Sequence, residues 1–125
     1  DAVEAVLDQG EQQGLYSDRA FAEAYCRTCL LGRQVGRRYL IDKLRRQQVA
    51  PEVARSVAEQ MLPPDREEDL ARDAARRRWA RWSGSPDRSA EAKVVRFLLG
   101  RGFAPQVARQ AAGRTRPPEP PETLD

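Results

Sequence analysis

The stretch Val49-Ala50-Pro51-Glu52-Val53-Ala54-Arg55 returns as Phe103-Ala104-Pro105-Gln106-Val107-Ala108-Arg109, displaced by 54 positions. The same displacement carried backward sets Leu44 against Leu98, Leu40 against Val94 and Tyr25 against Trp79, so apolar positions match across three successive segments. A displacement of this size predicts a duplicated helical unit that must stack on its copy, because each unit alone has too little apolar surface to bury.

The segments between these landmarks read as helices. Ser17 or Asp18 can cap a helix running to about Leu31, with Phe21, Ala22, Tyr25 and Cys29 on one face and Cys26 at its edge. Gly32 and Gly36 bracket a turn, and Arg37 to about Gln48 turns Leu40, Ile41 and Leu44 inward while Arg38, Arg45 and Arg46 face out. Pro51 suits the first position of the next helix, where its missing N–H is not needed. Pro63-Pro64 ends that helix, and one from about Asp65 to Trp82 follows, acidic at its start and arginine-rich at its end, as the helix dipole favours. Its inner face carries Leu70, Ala71, Ala74, Ala75, Trp79 and Trp82. After a loop from Ser83 to Asp87, Ser89 to Leu99 turns Val94, Val95 and Leu98 inward, and Pro105 opens a last helix to about Ala112. No segment alternates as a half-buried strand does.

The expectation is an all-α protein made of tandem three-helix repeats in an elongated, curved array. Residues 1–14 read as the last helix of a truncated first repeat, 15–62 and 63–113 as two full repeats, and 114–125, with four prolines, as a flexible tail.

Charge and composition narrow the function. The chain has 125 residues with a formal net charge of +3, unevenly placed: residues 1–15 carry −4 and 16–48 carry +5. A basic middle behind an acidic front can meet an anionic partner on one face. The arginine sets are Arg33, Arg37, Arg38, Arg45 and Arg46 in one region, with Lys43, and Arg76, Arg77, Arg78 and Arg81 in another. The best candidates for partner contact are Arg37, Arg38, Arg45 and Arg46 as one patch and Arg77, Arg78 and Arg81 as a second. Arginine's fork suits carboxylate and phosphate alike, so residue type alone leaves both partner classes open.

Reactive groups are scarce. Histidine is absent, and no phosphate-cradling glycine loop is present; Gly32, Gly36, Gly100 and Gly102 read as helix stops. Cys26-x-x-Cys29 is the one spacing that suggests chemistry. Zinc would want four ligands, and a redox pair belongs at a helix start, whereas this pair lies inside a helix. Structural burial is the simpler reading, with Cys29 central on the apolar stripe. The expectation is a non-enzyme without catalytic residues, metal or cofactor. No apolar run is long enough to span a bilayer, and a cytoplasmic monomer is the default.

Ser17-Asp18-Arg19-Ala20-Phe21-Ala22-Glu23-Ala24-Tyr25, the run from Gly36 through Leu40 and Leu44 to Val49, and Val94, Leu98, Gly102 and Phe103 together resemble the RecX family of regulators of RecA-type recombinases. The resemblance covers roughly residues 1 to 112 and implies three-helix repeats without a cofactor. It also implies binding to the recombinase filament on single-stranded DNA, suppression of its ATPase, strand-exchange and coprotease activities, and direct contact with DNA. Cys26 and Cys29 depart from the family's usual aliphatic or polar residues. The competing readings are a helical nucleic-acid-binding module acting through the basic helices, and a thiol-active protein.

Overall fold

The computed structural model describes residues 18–119, and among them the chain forms six α-helices and no strand. These are α1 (18–30), α2 (Arg37–Arg46), α3 (Pro51–Met61), α4 (Pro64–Ala80), α5 (Arg88–Gly100) and α6 (Pro105–Thr115). They divide into two triplets, each around its own core, with the half-buried Leu70 packed against both.

The duplication is visible atom by atom. Leu40, Leu44, Val94 and Leu98 are all fully buried, as the matched register requires. At the end of α2, Val49 N–H donates to Leu44 O at 3.1 Å; at the end of α5, Phe103 N–H donates to Leu98 O at 3.2 Å. Gln48 and Gly102, which precede those donors, both turn left-handed, with φ of 68° and 90°. This is the Schellman arrangement: a left-handed residue reverses the chain so that orphan carbonyls of the last turn find donors. Val49 and Phe103 are thereby tucked under their own helices.

Proline punctuates the starts. Pro51, Pro64 and Pro105 each occupy a first helical turn. The Pro63-Pro64 pair that stops α3 also starts α4, one residue before the expected Asp65. Helix α5 is capped by Asp87, whose carboxylate accepts from Ala90 N–H at 2.9 Å. Helix α6 continues to Thr115, past the expected stop at Ala112. Beyond it, Arg116 Nε donates to Pro86 O at 2.6 Å, which ties residue 116 to the α4–α5 loop. The expected truncated helix at 1–14 and the last residues of the tail lie outside the described residues.

Helix α1 differs from its expected orientation. Its buried line runs through Ala22 and Cys26, both fully inaccessible, whereas Cys29 is only half-buried and Phe21 is 46% exposed. The stripe is rotated because the small Ala22 and Cys26 let the helix approach the leucine-filled core closely, leaving the larger Phe21 on the rim beside Tyr25, ring centroids 5.7 Å apart. Arg19 fastens the helix to α3 through Ser56 Oγ and Gln60 Oε1.

In the second triplet the alanines of α4 bring it against α5 and α6. Trp79 fills the end of that core and its indole N–H donates to Ala112 O at 3.2 Å, so the ring is buried without an orphan donor. Trp82 packs edge-on to it at 6.2 Å and donates to Ser85 O at 3.2 Å.

Candidate partner-binding site at the repeat joint

Helix α2 begins at Gly36, which has no side chain to cap the first N–H groups. The second triplet supplies the missing acceptors. Gly36 N–H donates to Arg101 O at 3.0 Å, Arg38 N–H to Gly102 O at 3.1 Å, and Arg37 N–H to Glu67 Oε2 at 2.7 Å. Glu67 is the buried charged residue among those described, 4% exposed, and its carboxylate sits at the positive end of the α2 dipole. A hydrogen bond to such a charged group is worth about 1.5–3 kcal/mol, enough to hold α2 to α4.

This contact is possible only between glycines. A Cβ on Gly36 would lie 2.3 Å from Gly102 O, and one on Gly102 would lie 2.4 Å from Tyr39 N. Two backbones therefore meet without intervening side chains, and the repeats touch directly at this point. Gly36 and Gly102, expected as helix stops, are also the seam.

A cleft of about 190 Å³ lies beside this seam, lined by Gln34 ahead of α2, Ala74, Arg77, Arg78 and Arg81 at the end of α4, and Phe97 and Arg101 at the end of α5. Phe97 organises it: the guanidinium carbons of Arg78 and Arg101 lie 4.9 Å and 5.2 Å from its ring centroid. Such cation–π contacts hold both side chains against an apolar floor. Arg77 pairs with Asp73 on its own helix at 3.5 Å. No carboxylate lines the cleft among the described residues.

Of the arginines expected at a contact surface, the structure gathers Arg77, Arg78 and Arg81 in this cleft and adds Arg101 and Gln34, which the sequence pattern does not single out. Their signal is faint: Arg101 stands between two glycines that read only as a stop. Arg37 is drawn inward, its Nε donating to Leu62 O at 2.7 Å, so it braces the joint. Arg38, Arg45 and Arg46 are exposed as expected. Arg45 and Arg46 lie in the last turn of α2, roughly 12 Å along the helix from the seam, and Arg46 pairs with Asp42 at 3.2 Å. Arg33 Nη1 meets Tyr39 Oη at 3.3 Å and Lys43 covers the Tyr39 ring at 5.4 Å, which extends the basic surface along α2.

The cysteines do not form a reactive pair. Both are free thiols. Burial pushes Cys26 up to about 11, with Cys29 and Glu23 adding to the effect. Burial also raises Cys29, against the opposing pull of Arg33 and Lys43. Both remain protonated near neutral pH, the unreactive form.

Comparison with known proteins matches residues 17–57 to the second three-helix domain of RecX and residues 65–112 to the third. The chain belongs to the RecX family. It is 33% identical over 108 residues to the regulatory protein RecX of Thermobifida fusca, covering 86% of this chain and 58% of that relative. Against the regulatory protein RecX of Thermus thermophilus it is 38% identical over 109 residues, covering 87% and 67%. Against that of Streptomyces coelicolor it is 34% identical over 116 residues, covering 89% and 61%. The chain thus spans about three-fifths of the length of these RecX relatives. No solved structure matches it. The two matched domains are separated by residues 58–64, and the arginine cleft takes Gln34 from the second domain and its other lining residues from the third.

Proposed function

We propose that this RecX-family chain is a non-enzymatic regulator that binds a RecA-type recombinase filament on single-stranded DNA and inhibits its ATPase, strand-exchange and coprotease activities. In the cytoplasm it would thereby modulate recombination and the SOS response, acting as a monomer. Family membership supports the regulatory role, and the observation that carries the physical side of the reading is the seam. Backbone hydrogen bonds between Gly36 and Arg101 and between Arg38 and Gly102 tie the two repeats together directly, which favours a stiff joint.

Rigidity matters because a filament offers the same surface repeatedly. A stiff pair of repeats presenting Arg38, Arg45 and Arg46 from one triplet and Arg77, Arg78 and Arg81 from the other can engage adjacent protomers together, and weak contacts then reinforce one another. A floppy joint would lose that gain in conformational entropy.

The test is the ATPase rate of a RecA-type recombinase on single-stranded DNA with the chain added. Inhibition that declines when Arg77, Arg78 and Arg81 are changed to Gln is expected, and an unchanged ATPase rate would remove the reading. The acid-free arginine cleft favours a second reading, direct binding to a nucleic-acid strand. In that case log affinity for naked DNA should fall with log salt at about −0.7 per phosphate for a single strand. Tight binding that requires recombinase and ATP favours the filament.

A further inference from the structure

We propose that the cleft between α4 and α5 is a binding site for a phosphomonoester dianion, the terminal phosphate of a small molecule. The first support is unbalanced charge. Four guanidinium groups line the cleft and Asp73 offsets one of them, Arg77. The C-terminal ends of the antiparallel α4 and α5 lie at opposite ends of the cleft, and each contributes only about half a negative charge, so together they offset about one more. Roughly two positive charges are left, and Arg78, Arg81 and Arg101 have no carboxylate partner among the described residues.

A phosphomonoester near neutral pH carries about −1.5 to −2 and matches that excess. A phosphodiester carries one charge per group and leaves half of it unmet. The Phe97 ring contributes order: the Arg78 and Arg101 guanidinium carbons lie 4.9 Å and 5.2 Å from its centroid, so both stems are held on the ring. Planar forks held in place can each offer paired N–H donors to phosphate oxygens with little further loss of entropy. Gln34 adds an amide from the other repeat. The cleft volume of about 190 Å³ leaves room for a phosphate group and the first atoms of what carries it.

The experiment is calorimetric titration of the full chain at low salt, without recombinase, using inorganic phosphate, adenosine monophosphate and dimethyl phosphate. Phosphate and the monophosphate should bind, with dimethyl phosphate about tenfold weaker or worse. Tighter binding of the monophosphate than of inorganic phosphate would place the ligand's carrier in the cleft as well; equal binding would assign recognition to the phosphate alone. Affinity for the monophosphate should fall as pH drops through its second pKa near about 6, because the arginines stay charged throughout. Arg101→Gln and, separately, the solvent-facing Arg81→Gln should each weaken binding about tenfold, while the exposed Arg109→Gln on α6 keeps it. Thermal melting establishes that each variant is folded. Equal binding of dimethyl phosphate, indifference to pH, or unchanged affinity in both cleft variants would overturn the proposal. So would tighter binding of an oligothymidine without terminal phosphate, which would give the cleft to a strand backbone. Because no recombinase is present, failure here leaves the filament reading standing, and failure of filament inhibition leaves this one.

Discussion

The two triplets share a turn and differ in what the turn touches. At the end of α5 the left-handed residue is Gly102, pressed against the backbone of Tyr39; at the end of α2 its counterpart is Gln48, which bears a Cβ. A left-handed L-residue costs about 1–2 kcal/mol, so Gln48 carries strain that Gly102 avoids. Since Gly102 accommodates its neighbour only by lacking a Cβ, the α2 end cannot make the same backbone joint that the α5 end makes. The buried Glu67 follows the same pattern, because 54 positions earlier the chain has Gln13. Repetition in this protein conserves the core and the turn, while the seam is particular to one place.

That comparison can be broken or sharpened by substitution. Leu44→Ala and Leu98→Ala remove matched, fully buried side chains, and each should cost about 2–5 kcal/mol in denaturant unfolding; a negligible loss at either would undo the equivalence of the two cores. Gly102→Ala places a methyl group against the Tyr39 backbone and should cost about 3 kcal/mol, splitting a single melting transition into two as the repeats uncouple. A single transition at the wild-type temperature would show that the seam does not hold the triplets together.

A third test uses Cys26, which belongs to one core only. Its thiol ionises near 9.0 in an unfolded chain and near 11 when buried, so the unfolded state releases its proton first as pH rises. The thiol's contribution should therefore be constant below about pH 9, and stability should decline between about pH 9 and 11 by on the order of 3 kcal/mol. In Cys26→Ala that part of the decline should vanish although the variant is weaker at neutral pH; an identical pH profile would remove the burial account. The smallest effect is a gain. Gln48→Gly should stabilise the chain by about 0.5 kcal/mol, because relief of left-handed strain slightly exceeds glycine's added unfolded-state freedom.

Much of the architecture is legible in the chain. Leu40, Leu44, Val94 and Leu98 are buried as their spacing predicts, and the prolines start helices where their missing N–H is harmless. Helix α1 departs from its pattern for a physical reason. Periodicity puts Phe21 inside and Cys26 at the edge, because a wheel ranks residues by size and hydropathy, whereas the close approach of α1 selects small residues for its buried line.

The arginine cleft is legible only in part. Arg77, Arg78 and Arg81 are neighbours in sequence and share one helix end, so their clustering is a local fact. Their meeting with Arg101 and Gln34 is not, because it depends on Gly36 and Gly102 approaching across 66 positions of chain.

The sequence by itself determined the helices, their stops and the duplicated apolar register, since backbone sterics and helical periodicity act over a few residues. Only the tertiary structure decided which glycines are seams as well as stops, that Arg37 braces the joint while Arg101 faces the cleft, and that α2 is capped by the next repeat. Those outcomes depend on satisfying buried N–H groups and excluding a single Cβ at one contact, conditions set by partners distant in the chain.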